Sequence, residues 1–235
     1  MNYLRYFYTC LTVMFISMGV EATQDPFEEI NRKIWTFNEY LDDNIAKPTA
    51  EIYTSITPDF IEIGITNFFR NINELDNTAN QLLQGKPVYA MNDFARFIIN
   101  TSVGILGFID IASKLGLERH DEDFGQTLGA WGVSKGPFLM IPLYGPSTPR
   151  SLAGRSVSSV LTGTFAIEET DVRIGFTALD ALETRARYLE VETLIVGDRY
   201  SFIRDSYMQY LDFESSDGES QSDDFVDDMD DFLLD

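Results

Sequence analysis

Cysteine, histidine and basic residues are scarce in this chain of 235 residues. The single cysteine, Cys10, lies in a segment that we expect to be removed, so a thiol catalyst and a disulfide are excluded from the mature chain. The single histidine, His120, leaves no second imidazole for a transition-metal site. The 38 acidic and 17 basic residues give a net charge of -21. That balance disfavours a nucleic-acid partner, because phosphate binding relies on clustered lysine and arginine.

The amino-terminal segment lacks a hydrophobic run long enough to span a bilayer. Its apolar stretch runs from Leu11 to Val20, follows one cation at Arg5 and ends near the small residue Ala22. A spanning helix needs about 20 apolar residues, whereas a shorter run with a small-residue end is typical of an export signal. We therefore predict a cleaved signal peptide over residues 1–22. A buried amino-terminal helix is the alternative.

Apolar residues recur at three- and four-residue spacing through most of the remaining chain, which predicts helices. The first helix follows Asp25, which can cap it, and its apolar stripe continues as far as Pro48. A second helix begins at Thr57 and Pro58 and ends near Gly85. Further helices are predicted over residues 151–161, over residues 174–189 and from about residue 198. Convincing strand alternation is absent, so the predicted fold class is all-α.

Two segments depart from a simple helical stripe. Residues 91–117 are apolar on every side and are interrupted by polar residues and glycines. They fit either a pair of core helices or short helices lying in a lipid interface. Residues 124–150 place large apolar side chains among glycines and prolines, which end helices. We predict a long irregular insert that lines a cavity or contacts lipid.

The candidate catalytic and metal-binding motifs are weak. Residues 132–136 match the nucleophile-elbow pattern around Ser134, but Pro137 follows at once and the only histidine precedes the serine. His120 opens a run of acids that we interpret as a solvated acidic loop, since consecutive residues cannot all reach one ion. No phosphate loop, dinucleotide fingerprint or zinc-binding helix is present. The sequence therefore predicts no enzyme, no metal and no cofactor.

The carboxyl-terminal segment is strongly acidic. Eleven acids and no basic residue lie between Asp212 and Asp235. Charge repulsion with little apolar area to bury predicts a disordered acidic tail over residues 214–235. Folding of its interspersed apolar residues against a basic partner is the alternative.

Six blocks of sequence, in order along the chain, are similar to those of a known family. They are DPFEEINRKIWTFN from Asp25, NFFRNINE from Asn67, NQLLQGKP from Asn80, RFIINTSVGILGFIDIAS from Arg96, DFGQTLGAWGVSKGPFLMIPLYGPSTPR from Asp123 and DRYSFIRDSYMQY from Asp198. With these blocks the chain resembles the MlaA (VacJ) family of Gram-negative outer-membrane proteins. FGQTLGAWGV and GPFLMIPLYGPST are specific to it. We therefore predict an MlaA/VacJ-like helical domain over residues 23–213.

The resemblance implies a ring-like bundle of amphipathic helices in the inner leaflet of the outer membrane, around a central amphipathic channel. It implies transport of stray phospholipids from the outer leaflet to a soluble periplasmic phospholipid carrier of the Mla pathway, in association with trimeric porins. A soluble periplasmic helical scaffold is the alternative function. Most members carry an acylated cysteine before the mature domain, whereas no cysteine lies near Ala22, which puts a lipid anchor in doubt.

Within this resemblance, three groups of residues receive predicted roles. The lipid channel or gate is assigned to Leu128, Trp131, Phe138, Met140 and Tyr144. Contact with the phospholipid head group is assigned to at least one cation among Arg96, Lys114, Lys135, Arg150 and Arg155. Contact with the membrane is assigned to Phe97, Ile98, Ile105, Phe108 and Ile109. Ordinary core packing is the alternative for each aromatic and methionine side chain.

Overall fold

The computed structural model describes residues 25–162, 168–189, 192, 195 and 197–215. The predicted signal peptide and all but the first two residues of the predicted acidic tail lie outside these ranges. Helices dominate the described residues, which confirms the all-α class. No helix in these ranges is both long and apolar enough to span a bilayer.

Five of the nine described helices lie where the sequence predicts helices. The helices are α1 (Glu28–Leu41), α2 (Lys47–Ile56), α3 (Asp59–Leu83), α4 (Pro87–Ser102), α5 (Ile111–Lys114), α6 (Phe124–Ala130), α7 (Pro149–Leu161), α8 (Thr170–Arg187) and α9 (Arg199–Ser215). The strands β1 (Leu139–Ile141) and β2 (Gly145–Ser147) form an antiparallel hairpin between α6 and α7. A π-helical turn over Asp42–Ala46 joins α1 to α2.

Both predicted limits of the first helix differ in the structure. Pro48 does not end it, because the π-helical turn leads directly into α2 with the proline in its first turn, where the missing N–H is tolerated. The helix begins at Glu28 rather than directly after Asp25. The Asp25 carboxylate is buried, accepts a hydrogen bond from Asn31 Nδ2 at 2.9 Å and accepts another from the Tyr200 hydroxyl. Asp25 therefore connects α1 to α9.

The glycine- and proline-rich segment contains more regular structure than predicted. The Asp123 side chain caps α6 by accepting a hydrogen bond from the Gln126 amide at 2.7 Å. The β hairpin follows, and two amide side chains of α1 bind its first strand. Asn31 Oδ1 accepts from the Met140 amide, and Asn38 Nδ2 donates to the Ile141 carbonyl, both at 2.9 Å. These side chains satisfy backbone groups at the strand edge.

A small apolar core lies where the hairpin meets α1 and α9. Phe138, Met140 and Tyr200 are buried together, and the rings of Phe138 and Tyr200 meet edge to face at 6.1 Å. Ile34, Trp35, Tyr207 and Met208 pack against this cluster. The cluster places Phe138 and Met140 in the interior.

Candidate functional site

Helix α4 is amphipathic in the opposite sense to a helix of a water-soluble protein. Val88 and Met91 lie on one face and are 77% and 73% exposed. Asp93, Arg96 and Asn100 lie on the other face and are buried. Burial of polar groups is costly unless they are hydrogen-bonded, and large exposed apolar surfaces mark contact with lipid or another protein. The polar face of α4 is therefore its packed face.

Helix α3 supplies the matching polar surface. Asn71, Glu74, Asn77 and Asn80 recur every three residues along α3, and all four are buried. Helices α3 and α4 share the most extensive contact between elements in the described ranges. These four residues, with Asp93, Arg96 and Asn100 of α4, are called the polar seam below. The three-residue spacing of these polar side chains in α3 is a signal in the sequence that could have identified the seam.

Arg96 is the centre of the polar seam. Its Nε atom lies 2.8 Å from Glu74 Oε1, and its Nη2 atom lies 3.2 Å from Asp110 Oδ2. Its Nη1 atom donates to the Leu117 carbonyl at 2.6 Å and to Ser113 Oγ at 3.1 Å. Two carboxylates thus neutralise one buried guanidinium. Arg96 therefore fixes α4 against α3 and the segment around α5.

The low pKa of Asp110 agrees with its ion pair with Arg96. Burial alone would raise its pKa, but hydrogen bonds from Ser113 and Asn100 and the charge of Arg96 together lower the pKa of Asp110 to about 2. The same carboxylate caps α5 by accepting from the Ser113 amide at 3.1 Å. Asp110 is therefore charged at any physiological pH.

The run of acids after His120 is only partly solvated: the Asp121 side chain is exposed as predicted, whereas His120 and Glu122 are attached to the seam. His120 Nδ1 lies 2.7 Å from Oδ1 of Asp93, and Asp93 is fully buried. The Glu122 amide donates to Asn77 Oδ1 at 3.1 Å, and the Glu122 side chain is only 9% exposed and pairs with Lys86. No group of residues in the described ranges has the arrangement of a metal site.

Two cavities lie beside the middle of α3, and residues of the polar seam line the smaller one. One, of about 300 Å³, is lined by residues of α2, α3 and α8: Tyr53, Glu62, Ile63, Thr66, Asn67, Arg70, Glu183, Ala186 and Arg187. The other, of about 250 Å³, is lined by Asn67, Arg70, Asn71, Glu74, Arg96, Asn100, Asp110, Ser113 and Arg119. Asn67 and Arg70 line both cavities. The cavities therefore meet at one short stretch of α3.

The structure does not bring the five predicted head-group cations together. Arg96 lines the second cavity but is fully engaged in the seam. Arg150 is buried and donates to the Val133 carbonyl and to Ser215 Oγ. Lys135 pairs with Asp212, the Arg155 guanidinium lies 4.6 Å from the centre of the Tyr144 ring, and Lys114 is exposed on α5.

The predicted channel or gate residues also separate. Phe138 and Met140 belong to the small apolar core, and their near-complete burial contradicts the prediction that they line a channel. Trp131 and Tyr144 are more than half exposed, and Leu128 is partly buried. Trp131 Nε1 donates to the Leu83 carbonyl at 3.2 Å, which holds the indole beside the end of α3. Side-chain direction in this irregular segment could not be read from the sequence.

Three of the predicted membrane-contacting residues are exposed: Ile98, Ile105 and Ile109. Phe97 is partly buried. Phe108 packs inward, since a Cβ atom placed on Gly64 would lie 2.0 Å from its ring, so its predicted outward position is corrected. Ile105 and Leu106 both have positive φ, at 56° and 55°, and both are exposed. A β-branched residue in this conformation is strained, and such strain concentrates at functional sites.

A family model described as MlaA lipoprotein matches residues 23–214. The chain belongs to the MlaA lipoprotein family. It is 34% identical to the intermembrane phospholipid transport system lipoprotein MlaA of Escherichia coli (strain K12), over 90% of this chain and 87% of the relative. It is also 34% identical to the protein of that name from Haemophilus influenzae, over 90% of this chain and 89% of the relative.

A solved structure supports the same assignment. It comes from work on the structural basis for maintenance of bacterial outer membrane lipid asymmetry, and it matches with a TM-score of 0.73 and 33% identity. The match covers 81% of this chain and 98% of the solved chain. Family membership and helical fold therefore agree with the resemblance identified from the sequence blocks.

Proposed function

We propose that this protein removes phospholipids that have strayed into the outer leaflet of the outer membrane and passes them to a soluble periplasmic carrier. The inverted burial of α3 and α4 carries this proposal, because an apolar exterior around a polar interior suits a protein surrounded by lipid. Family membership supports it, since the curated relatives are named as components of an intermembrane phospholipid transport system.

In this proposal the helices lie in one leaflet and form a ring. Helices α1 to α4 each carry large exposed apolar side chains, and the loop tip at Ile105 and Leu106 adds two more. Each such side chain gains about 1.5–3 kcal/mol when it is fully transferred from water into acyl chains. The ring would hold the membrane through this apolar exterior and through contacts with a trimeric porin.

The cargo would move through a channel whose inner wall is polar. The head group follows the polar seam and its two cavities, while the acyl chains follow apolar side chains at the channel mouth. Trp131 and Tyr144, with Leu128 beside them, are the gate residues that keep an accessible surface. Lys114 and Arg155 remain candidates for transient head-group contacts. We infer that no covalent chemistry takes place, because Ser134 lacks the strand and the later histidine of a nucleophile elbow.

The decisive experiment measures surface-exposed phospholipid in cells that lack this protein. We expect the loss of the protein to raise surface labelling with an amine-reactive probe, and the wild-type chain to lower it again. Trp131→Asp should fail to restore asymmetry, because a carboxylate in an apolar passage is costly to desolvate. Trp131→Phe is the matched control and should restore it.

Two results would contradict the proposal. Unchanged surface labelling in cells that lack the protein would remove the transport function. Loss of complementation by Ser134→Ala would instead support a lipase, because only a hydrolytic mechanism needs this hydroxyl. Western blots of each variant in the membrane fraction establish equal abundance.

A further inference from the structure

The two cavities lie side by side at the middle of α3, and together they are called the paired space below. Asn67 and Arg70 line both, so the paired space extends from Tyr53 and Glu62 at one end to Arg119 at the other. Their volumes of about 300 and 250 Å³ lie at and just below the lower end of the range for small-molecule sites. The paired space therefore suits a small polar group whose remainder continues outside.

The positive groups in the paired space are not equally neutralised. Arg96 is paired with Glu74 and Asp110, as described above. Arg187 Nε lies 2.8 Å from Glu183 Oε1. Arg70, by contrast, makes no hydrogen bond or ion pair with any residue that the structure describes. Arg70 is therefore the guanidinium in this space that has no carboxylate partner of its own.

A second guanidinium has an incomplete set of partners. The Arg119 side chain pairs with Asp121 through Nη2, but its Nε atom is buried and has no partner. Burial, followed by the charges of Arg119 and Arg187, lowers the pKa of Arg70. The exposed Arg70 guanidinium and the unpaired Nε atom of Arg119 provide donors for an anion with several oxygens.

At the opposite end of the paired space, acceptor groups lack hydrogen-bond donors. Glu62 Oε1 and the Tyr53 hydroxyl are buried and have no hydrogen-bond partner. Glu183 lines the same cavity but is already engaged by Thr66 and Arg187. Burial, followed by the charges of Asp59 and Glu183, raises the pKa of Glu62, which indicates a carboxylate without a nearby cation. An ammonium group would supply the missing donor.

The two charged side chains that lack partners, Glu62 and Arg70, both lie on α3. Glu62 and Arg70 are eight residues apart in α3, which corresponds to about 12 Å along the helix axis. Long, flexible side chains reach inward from both ends of that interval into the shared cavity. The spacing suits a ligand that carries both charges a short distance apart, rather than a simple anion.

We propose that Arg70 and Arg119 bind the phosphate, and Glu62 the primary ammonium, of a zwitterionic phospholipid head group of the phosphoethanolamine type. This inference rests on the proposed transport function and names the cargo class that its polar passage selects. The phosphate oxygens complete the hydrogen bonds of the two guanidinium groups. The ammonium donates to Glu62 Oε1, with the Tyr53 hydroxyl beside it.

The test uses the purified full-length mature chain in detergent micelles, titrated with dioleoyl lipids and read by native mass spectrometry. Dioleoyl phosphatidylethanolamine supplies both charges, phosphatidylglycerol supplies only the phosphate, and diacylglycerol supplies neither. We expect the wild-type chain to bind these lipids with decreasing affinity in that order. Arg70→Gln should weaken binding of both phospholipids at least about tenfold and leave diacylglycerol binding unchanged.

Glu62→Gln separates the two ends of the site. It should weaken binding of phosphatidylethanolamine alone, so that this lipid and phosphatidylglycerol bind equally. Arg70→Lys keeps the charge and should recover part of the lost affinity, although a lysine lacks the planar fork of the guanidinium. Lys33→Gln and Glu51→Gln change the same charges at exposed positions outside the cavities and should bind like the wild type.

The outcomes distinguish this inference from the proposed function. Equal wild-type affinity for all three lipids, or unchanged phosphatidylethanolamine binding by Arg70→Gln, would overturn the head-group site while leaving lipid transport intact. Failure of the wild-type chain to bind any of the lipids would overturn both. Far-ultraviolet circular dichroism confirms that each variant keeps its helical content.

Discussion

At the level of single residues, the interior of this protein depends on polar side chains that neutralise one another. The Arg96 guanidinium forms ion pairs with Glu74 and Asp110 and also donates a hydrogen bond to the Leu117 carbonyl. Removal of one partner from such a buried arrangement leaves an uncompensated charge, which costs more than the intact pair contributes. Arg96 is therefore a structural residue, whereas the partnerless Arg70 is a binding residue in our proposal.

Substitution of Arg96 tests this distinction. We expect Arg96→Met to lower the free energy of unfolding by about 3–5 kcal/mol, because the buried Glu74 and the partly buried Asp110 would remain without their cation. Urea unfolding in detergent, followed by circular dichroism, measures the change. Lys114→Met is the exposed control and should stay within about 0.5 kcal/mol of the wild type. Wild-type stability of Arg96→Met would show that the seam does not depend on this ion pair.

At the level of elements, the approach of α6 to α7 depends on two glycines. A Cβ atom placed on Gly154 would lie 2.5 Å from the backbone nitrogen of Gly125, closer than packed atoms tolerate. A backbone atom cannot relieve such a contact by a change of rotamer, so the helices themselves would have to move. The glycines of the FGQTLGAWGV block therefore include at least one whose role is close packing of helices rather than a turn.

The prediction compares two helical glycines. We expect Gly154→Ala to destabilise the protein by about 1–3 kcal/mol, because α6 and α7 would have to move apart. Gly175→Ala in α8 meets no atom within 4 Å and should stabilise the protein by about 0.5–1 kcal/mol through helix propensity. Thermal unfolding of both variants provides the measurement. Equal shifts in the two melting temperatures would refute the packing argument.

The end of α9 contains a carboxyl group with an unusual acidity. Burial raises the pKa of Glu214 to about 7; the hydrogen bond with Tyr210 opposes this, and the charges of Asp123, Glu122 and Asp121 add to it. Glu214 also accepts from Gln126 Nε2 at 3.1 Å, which connects α9 to α6. The folded state therefore holds this proton more tightly than the unfolded chain does.

Stability should consequently depend on pH between about 4.5 and 7. The folded-state pKa of Glu214 is raised, so its favourable contribution is present below that window and is lost as the pH rises through it. Asp76, whose pKa burial raises to about 6, acts in the same direction. We expect Glu214→Gln to raise the melting temperature at pH 8 and to reduce its difference between pH 5 and pH 8.

Glu51→Gln, at an exposed position of α2, serves as the control for this titration and should retain the pH dependence of the wild type. Melting curves recorded at half-unit pH intervals locate the transition. A Glu214→Gln variant with the full wild-type pH dependence would assign the effect to other groups.

At the level of the whole molecule, polar residues are concentrated inside and large apolar residues outside. Buried polar and charged residues outnumber buried apolar ones in the described ranges, while large apolar side chains are exposed on most of the helices. This distribution is unfavourable in water, because exposed apolar patches of this extent promote association. In the proposed leaflet position the same side chains would face acyl chains, and the interior could remain polar.

Membrane attachment should therefore resist salt and depend on the outer face of α4. We expect the wild-type chain to leave the membrane fraction only with detergent, whereas a soluble scaffold would be released by a high-salt wash. The triple variant Val88→Gln, Met91→Gln and Ile98→Gln should bind vesicles at least about tenfold more weakly, since it removes buried apolar area. Vesicle flotation measures this binding.

The matched control replaces the exposed residues Glu29, Lys33 and Glu51 with glutamine. It changes three surface residues without changing apolar area and should float like the wild type. Flotation of the α4 variant equal to that of the control would exclude this face as a membrane contact.

The sequence by itself determined the helical class, the positions of five helices and the family. Periodicity and the six family-like blocks are local properties of the chain, so they can be read without the tertiary structure. It did not determine which side of each helix faces inward. Val88 and Met91 would be core residues in water, whereas packing of Asn71, Glu74 and Asn77 against Asp93 and Arg96 turns them outward. Only the tertiary structure showed that Phe138 and Met140 are core and that Arg70 is unpaired, because charge neutralisation and burial depend on residues distant in sequence.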